Sequence, residues 1–597
     1  MRLAGLVALV AAAAGGLAPG LALAGPAHAL TDLDDARACL PLPAGGVAVG
    51  TGGGLAVVSR DRQVRTLTAL DGLPDTRVHA LAADGDVLWV GTDGGAAQVT
   101  LTPQLSVRRT VAVTGAPVHA VLATSTGVYL GTWGAGLFRV PSREAPPEAV
   151  PAAGGGQRIA ALAEHGGSLY VAYADGPLAR LESGKAVPVV DAPAHGQALA
   201  AVAASDGRAE LVLGDLEGLF RAGQGVTPVA SVDARGLAQG PGGTLLVATY
   251  GSGLLAGPIH GALRREAGVP GLVNGVAVRG DVRCAATTEG VFVGTGKRGY
   301  EKVTLGGLPS NDVTVVEGHG ARVVVGTFDR GAAIVDGDGI SPVQGLEPTE
   351  AINAAAWQES SGGATLWLGT ARGIVRVAPD GTLRRLRSAD GLPSSSVRSL
   401  LVRSDGRLLV GTDEGAALVD GEHVEPVVPR RKKKGPAPLA SPMHATWAVA
   451  ESADGTIWLG TNVGLYYGKG GAFRRVALAT GDLADDWVTA LAIRGSDVFV
   501  GTYAGGVTRL RPSGRAGGAL EHAHLGGGCI NPGGLTLMGD QLLAATMEGL
   551  LVRPAGDDRA SWTVKAGATP GRDVTSARRV GDMLWVASRR GIGVSRL

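Results

Sequence analysis

A short motif recurs fourteen times along this chain, at a mean spacing of about 41 residues. Each copy is an apolar pair, then Gly-Thr or a close variant, then a second Gly four or five residues after the first position, which we call the anchor. The anchors are Gly50, Gly91, Gly131, Ala172, Gly214, Ala248, Ala286, Gly326, Gly369, Gly411, Gly460, Gly501, Ala545 and Ala587. A fixed period in this range is typical of β-propeller blades, four-stranded units that cannot bury their own faces unless they stack.

Fourteen blades exceed the usual four to eight of a single ring, so the sequence predicts an all-β chain of two seven-bladed β-propellers in tandem. We place the first ring at residues 30–304 and the second at residues 305–597. The last copy ends at Leu597, directly after its expected third strand, so its fourth strand must come from elsewhere if no edge is to be left exposed. The segment Leu30–Leu42 is a candidate donor, and the sequence does not decide which ring it completes.

Residues 1–29 have the pattern of a signal peptide. Arg2 precedes an apolar stretch, and Ala27-His28-Ala29 supplies small residues around a cleavage site. No later stretch reaches the roughly 18 apolar residues that a membrane-spanning helix needs. We therefore expect a secreted or periplasmic protein with no membrane span.

The charge of the chain is nearly balanced, with 54 Lys and Arg against 53 Asp and Glu. No large field steers it toward nucleic acid or an anionic membrane. One basic segment, residues 429–438, has five consecutive cations flanked by prolines, which rules out a buried strand. We expect a solvated loop there, the alternatives being a protease-sensitive site or a contact for an anionic polymer.

Three cysteines are an odd number for an exported chain. Cys284 takes a place that other copies fill with an aromatic residue, so it is most simply a core residue. A Cys39–Cys284 disulfide joining the first and seventh copies is the alternative. Cys529 has no evident partner.

A second motif lies about 20 residues before several anchors. It reads Asp71-Gly72-Leu73-Pro74, Gly307-Leu308-Pro309 and Asp390-Gly391-Leu392-Pro393. With the Leu-Trp-Val-Gly-Thr and Leu-Trp-Leu-Gly-Thr sequences at residues 88–92 and 366–370, this pattern resembles the two-component regulator propeller repeat over essentially the whole mature chain. The resemblance implies paired propellers of the kind that form extracytoplasmic sensors of hybrid histidine kinases, many of which respond to glycans. Since no kinase segment follows the last copy, we expect a free-standing relative that would need a partner protein to signal.

The turns that follow the anchors form two classes. Ten place the second Gly four residues after the anchor, and four place it five residues after. The four longer turns each carry an aromatic residue two places after the anchor: Trp133, Tyr250, Phe328 and Tyr503. Flat rings at a propeller mouth can stack on sugar faces, so these four are candidate ligand contacts. The alternative is that each ring packs over the neighbouring blade.

Short polar residues near the Gly-Leu-Pro motif and at similar places form a second candidate group. They are Asp75, Thr76, Arg77, Asn274, Asn311, Asp312, His444, Asp485 and Asp486. They could bond sugar hydroxyls, and clustered carboxylates could hold Ca²⁺. Such residues also cap their own backbone in turns, which we favour for any single one.

No catalytic motif and no metal site emerge from the sequence. We expect no enzyme and no cofactor, with Ca²⁺ left open. The favoured function is a non-catalytic, sensor-like binding protein for a glycan or a component of the cell envelope. A protein-assembly platform in the envelope and a propeller-type polysaccharide lyase or calcium-dependent hydrolase remain alternatives.

Overall fold

The computed structural model describes residues 27–597. The exceptions are residues 152–155, 190–192, 204–207, 224, 297, 338, 429–443 and 514–519. The basic segment at 429–438 and most of the expected signal peptide therefore lie outside the described residues. The helices of the described residues are four short 3₁₀ turns, Ala69–Asp71, Pro241–Gly243, Ser388–Asp390 and Leu478–Thr480. None of them is long and apolar enough to cross a membrane.

The strands form fourteen four-stranded antiparallel sheets, each a blade. From the innermost strand outward, blades 1–7 are Ala36–Pro41, Val47–Thr51, Gly54–Val58 and Val64–Leu67; Val78–Asp84, Val87–Thr92, Gly95–Thr100 and Ser106–Val111; Val118–Thr124, Gly127–Thr132, Leu137–Val140 and Glu148–Val150; Ile159–His165, Ser168–Tyr173, Ala179–Glu182 and Lys185–Pro188; Ala198–Ala203, Ala209–Gly214, Leu219–Gly223 and Gly225–Ala230; Ala234–Gln239, Thr244–Thr249, Leu254–Pro258 and Arg264–Arg265; Val273–Arg279, Val282–Thr287, Gly290–Thr295 and Glu301–Val303.

Blades 8–14 follow the same order. They are Val313–His319, Arg322–Thr327, Ala332–Asp336 and Gly339–Pro342; Ile352–Gln358, Thr365–Thr370, Gly373–Val377 and Leu383–Leu386; Val397–Val402, Leu408–Thr412, Gly415–Asp420 and His423–Pro426; Thr446–Glu451, Ile457–Thr461, Gly464–Lys469 and Ala472–Val476; Val488–Arg494, Asp497–Thr502, Gly506–Pro512 and Leu520–Gly526; Ile530–Met538, Gln541–Thr546, Gly549–Pro554 and Thr563–Val564; Val574–Val580, Met583–Ser588, Gly591–Arg596 and His28–Leu30.

The blades close into two rings of seven. Innermost strands pack on their neighbours in sequence order within each ring. The first ring closes where Ala36–Pro41 of blade 1 packs against Val273–Arg279 of blade 7. The second closes where Val313–His319 of blade 8 packs against Val574–Val580 of blade 14. The predicted pair of seven-bladed propellers is confirmed.

The amino-terminal segment completes the second ring. Its strand His28–Leu30 runs antiparallel to Gly591–Arg596, with Leu30 opposite Ile592. The chain then crosses to the first ring, where it enters the innermost strand of blade 1. Within the candidate donor Leu30–Leu42, only the first residue belongs to the closing strand. The expected signal-peptide end at Ala29 falls inside that strand.

The repeated motif is explained by two contacts. The Thr after the anchor is buried, and in blade 2 the Thr92 hydroxyl donates to the Gly95 carbonyl at 2.8 Å, which closes the turn. The anchor glycines abut the next blade, so a Cβ on Gly91 would lie 2.6 Å from the Val118 carbonyl oxygen. The motif therefore reflects a turn closed by Thr and a close blade contact that leaves room only for Gly or Ala at the anchor.

The two classes of turn differ in backbone conformation. The second Gly has φ of +123° in the shorter turn at Gly95 but +78° in the longer turn at Gly136. The other longer turns, at Gly253, Gly331 and Gly506, have φ between +70° and +80°. The extra residue thus gives a distinct turn, and all four turns of this kind carry the aromatic residue.

A disulfide joins Cys39 to Cys284. Cys39 lies in the innermost strand of blade 1 and Cys284 in the second strand of blade 7, so the bond crosses the closure of the first ring. Both readings of Cys284 hold, since it is also fully buried in the core between these blades. Cys529 is a free thiol.

Candidate functional site

A girdle of hydrogen bonds encircles the channel mouth of the second ring, the end at which its innermost strands begin. The second residue of the innermost strand donates a side-chain hydrogen bond to the first residue's carbonyl in the next blade. These bonds run from Thr314 to Ile352, Asn353 to Val397, Thr489 to Ile530, Asn531 to Val574 and Thr575 to Val313. Within the part of the ring that the structure describes, Arg398 and Trp447 hold this position without making the bond.

The side chains that interrupt the girdle build a cluster. The Arg398 guanidinium lies over the Trp447 ring at 4.6 Å and is bound in turn by Asp413 at 2.6 and 3.0 Å. Trp447 meets the edge of Trp487 with ring centroids 5.4 Å apart, and Trp487 stacks on Tyr503 at 4.6 Å. We call Arg398, Trp447, Trp487 and Tyr503 the aromatic mouth. It spans blades 10, 11 and 12.

The aromatic mouth opens onto the central channel of the second ring, a cavity of about 650 Å³. Arg398 and Trp447 are among its lining residues, together with Thr314, Asn353 and Ser576. The indole N–H groups of Trp447 and Trp487 are buried and have no hydrogen-bond partner. Unsatisfied buried donors are costly and rare in folded proteins. The cluster therefore combines aromatic surface with donors that have no acceptor of their own.

The mouth of the first ring carries a different row of planar groups. His79 stacks on His119 with centroids 4.1 Å apart, and His119 stacks on Trp133 at 4.6 Å. The Arg158 guanidinium lies over the Trp133 ring, 5.8 Å from its centroid. Burial, reinforced by the charge of His79, lowers the pKa of His119 to about 4, so this imidazole is neutral near pH 7.

Asp93 connects this row to the second ring. Its carboxylate lies 2.7 Å from His79 Nε2 and 3.1 Å from Arg590, which comes from blade 14. Burial alone would raise the pKa of Asp93, but the bonds to His79 and Arg590 outweigh it and hold the pKa well below its usual range. Arg590 also binds Asp75 at 3.2 Å, and the buried Thr76 hydroxyl donates to the Pro570 carbonyl at 3.3 Å. The two rings thus touch beside the first ring's mouth.

The four predicted aromatic residues lie on the mouth-side turns with much of their surface open. Tyr250, Phe328 and Tyr503 are 50%, 53% and 40% exposed, and Trp133 is half-buried. Arg235 lies over Tyr250 and Arg589 over Phe328. Tyr503 and Trp133 belong to the two clusters described above, whereas Tyr250 and Phe328 stand apart from them. Leu216 and Met547, also exposed, occupy the same turn position in their own blades.

The predicted polar residues mostly bond the protein itself. Asp75 accepts from the Arg77 N–H at 2.8 Å, Asp485 from the Ala504 N–H at 2.9 Å and Asp486 from the Leu478 N–H at 2.7 Å. The Asp75 contact caps its own turn, as the sequence favoured, whereas Asp485 and Asp486 accept from the backbone of neighbouring turns. The remaining partners are as follows: Arg77 with Asp93, Asn274 with the Ala36 carbonyl, Asn311 with the Asp32 backbone and Asp312 with Arg589.

The polar group does not converge on one site. Asp75 and Thr76 lie at the inter-ring contact, Asn311 holds the segment that links the rings, and His444 is exposed. Asp485 and Asp486 face the turns around the aromatic mouth. Over the described part of the chain, the one cluster of three metal-ligating side chains is His79, Asp93 and His119. The Ca²⁺ left open by the sequence stays a prediction.

Sequence reasoning missed His79, His119, Arg398, Trp447 and Trp487. A signal was available, because four of them are the second residue of an innermost strand, directly after Val or Thr. Most copies in the second ring place Thr or Asn there. Arg398 and Trp447 replace Thr or Asn at this position. The replacement can be recognised as unusual only once the structure shows that Thr and Asn form the girdle of hydrogen bonds there.

Comparisons with known proteins agree at the level of the fold. No protein-family model and no curated protein matches the chain. Among solved structures, PorZ, a surface component of the type-IX secretion system of Porphyromonas gingivalis, matches 96% of this chain and 87% of its own, with 12% identity and a TM-score of 0.72. The extracellular domain of a putative hybrid two-component system of B. thetaiotaomicron matches 96% of this chain and 82% of its own, with 13% identity and a TM-score of 0.38. That of a second such system matches 95% and 82%, with 14% identity and the same TM-score. Of these matches, the one to PorZ shows the shared fold.

Proposed function

We propose that this chain is a non-catalytic, extracytoplasmic binding protein whose ligand, a glycan or a carbohydrate-bearing envelope component, docks on the aromatic mouth of the second ring. The observation that carries the proposal is the break in the girdle. Two adjacent blades give up the structural hydrogen bond, and Arg398 and Trp447 take its place over the 650 Å³ channel. Because Arg398 and Trp447 occupy this position without forming its stabilising hydrogen bond, we infer that they serve ligand binding instead.

The chemistry of the mouth suits a sugar. The exposed ring of Tyr503 and its stacked neighbour Trp487 offer apolar faces on which the C–H side of a pyranose can lie. The indole N–H groups of Trp447 and Trp487 have no partner in the protein, and a shift of their rings toward the mouth would let them donate to hydroxyl or ring oxygens of a ligand. Arg398 is already neutralised by Asp413, which favours a neutral ligand over a strongly anionic one.

Export is part of the proposal. The disulfide between Cys39 and Cys284 is of the kind that persists in oxidising compartments, and the sequence of residues 1–29 predicts secretion.

A protein-assembly platform in the envelope is the second candidate. It is favoured by the exposed apolar residues Leu216, Tyr250, Phe328 and Met547, which repeat at one turn position around both rings. The fold shared with PorZ, a surface component of a secretion system, is compatible with such a role. Recovery of a specific envelope protein with no glycan response would favour this function.

The two functions are separated by a thermal-shift panel. The mature protein is heated with soluble plant, host and bacterial polysaccharides, each with and without Ca²⁺. A ligand at about 100 times its Kd adds about 2.7 kcal/mol, which is expected to raise Tm by several degrees. We expect a shift with one glycan class and no release of shortened product. No shift with any glycan contradicts the proposal, and product release would make the chain an enzyme.

A further inference from the structure

Three side chains at the mouth of the first ring converge on one point. One ligand atom from each of His79, His119 and Asp93 can be chosen so that all three lie within 4.8 Å of one another. We propose that they bind a divalent transition-metal ion of the zinc class, and that this ion competes with Arg590 of the second ring for Asp93. The site is separate from the aromatic mouth and does not depend on the proposed function.

The donor set selects the class of metal. Two imidazole nitrogens and one carboxylate oxygen are ligands that Zn²⁺ and its neighbours in the first transition row prefer. Ca²⁺ takes six to eight oxygen ligands, so it is a poor occupant of a site with two nitrogen donors. A fourth position would be left for water or an outside ligand, since the three groups come from the channel mouth and are only partly buried.

Side chains must move to bring the three groups to bonding distance of one ion. His79 Nε2 and Asp93 Oδ1 are 2.7 Å apart in a hydrogen bond, so they must lose the shared proton and separate to about 3.3 Å to become neighbouring ligands of a tetrahedral ion. His119 lies parallel to His79 and must turn about its side-chain bonds, because metal bonds lie in the imidazole plane. No hydrogen bond to another described residue holds the His119 ring, and its stacking on both His79 and Trp133 is what turning gives up.

Arg590 couples metal binding to the contact between the two propellers, because the ion and Arg590 compete for the same carboxylate. Its guanidinium binds Asp93 Oδ2 at 3.1 Å, and an ion on the same carboxylate would place two cations side by side. Arg590 keeps a second partner in Asp75 at 3.2 Å, so it can release Asp93 without losing all pairing. The ion would therefore loosen one of the contacts that join the rings, and by linkage a firm contact weakens metal affinity.

The test is a calorimetric titration of the mature full chain with Zn²⁺ and, separately, Ca²⁺. Cys529→Ser is used as background to remove the free thiol as a ligand. We expect one Zn²⁺ per chain and no Ca²⁺ at this site. His119→Ala and Asp93→Asn each remove a ligand and should weaken Zn²⁺ affinity by at least about tenfold. Arg590→Gln removes the cation that competes for Asp93 and should strengthen the affinity by about tenfold.

Two matched variants serve as controls. His522→Ala removes a histidine of the pair in blade 12, and Arg589→Gln removes the neighbouring arginine, which pairs with Asp312. Both should leave Zn²⁺ affinity unchanged. His119→Gln, which is close in size, replaces His119→Ala if far-ultraviolet circular dichroism shows loss of structure. Absence of Zn²⁺ binding, retention of binding in folded His119 variants, or an unchanged affinity in Arg590→Gln would each overturn the proposal.

Discussion

Trp447→Ala should weaken binding of the glycan identified by the panel by about 10- to 100-fold, which corresponds to about 1.4–2.7 kcal/mol. The substitution removes the ring on which Arg398 lies and which supports the edge of Trp487. Aromatic contacts contribute about 0.5–1.5 kcal/mol beyond the burial of apolar surface, so loss of the ring and of its N–H donor accounts for this range. Affinity is measured by titration calorimetry at fixed pH and salt.

Two companion variants make the binding result specific. Trp447→Phe keeps a flat ring but loses the N–H, so its affinity should fall between those of the wild type and Trp447→Ala. Tyr250→Ala removes, from the first ring, an aromatic residue that matches Tyr503 of the aromatic mouth in turn position and is similarly exposed, and its affinity should equal that of the wild type. If Trp447→Ala is folded and binds normally, or if Tyr250→Ala loses as much, the ligand does not sit at the aromatic mouth.

Asp32→Asn should stabilise the protein by about 2–4 kcal/mol at pH 8 and by little at pH 4. Asp32 is 5% exposed, in the segment that links the closing strand of the second ring to the first ring. Burial raises its pKa from the ordinary 3.8 to about 7, against the lowering effect of the Asp34 N–H and Arg330; Asp34 and Asp35 raise it further. The folded state therefore holds the proton more tightly than the unfolded state does.

The direction of the pH dependence follows from that difference. The contribution of Asp32 to stability is fully present below about pH 4 and is lost as the pH rises to about 7. An amide stays neutral and can still accept from the Asp34 N–H, a bond of 2.8 Å in the wild type. Tm is measured from pH 4 to pH 8. Asp582→Asn, at an exposed carboxylate of blade 14, is the control and should shift stability by less than about 0.5 kcal/mol. Parallel pH profiles for wild type and Asp32→Asn would refute the account.

The fold could be predicted because each blade repeats the same local constraints. The Thr hydroxyl closes the turn in most copies, and the anchor contact with the next blade leaves room only for Gly or Ala, so both constraints recur along the sequence. The count of copies then sets the number of blades. The sequence indicated that an amino-terminal strand completes one of the rings, but it did not decide which ring. The pairing of this strand with Gly591–Arg596 joins opposite ends of the chain, so no local pattern specifies it.

The candidate sites were harder to predict because they form between blades. Tyr503 was found from its turn, but its stacking partner Trp487 precedes the strand, and Trp447 comes from another blade. Asp75 looked like a ligand contact, yet its partner Arg590 lies in the other ring. No local spacing encodes either arrangement. The capping role of a polar residue such as Asp75 could be predicted from the sequence, because its partner Arg77 lies only two residues away.

Hydrogen–deuterium exchange of the mature protein, with and without its glycan, tests most directly whether ligand binds at the mouth of the second ring. The account predicts slower exchange at residues 445–449, 484–489 and 501–506, the strand starts and turn that carry Trp447, Trp487 and Tyr503. The first ring should be unchanged. Protection confined to the first ring, or to the hairpins at residues 453–456 and 495–496 at the opposite end of blades 11 and 12, would contradict it.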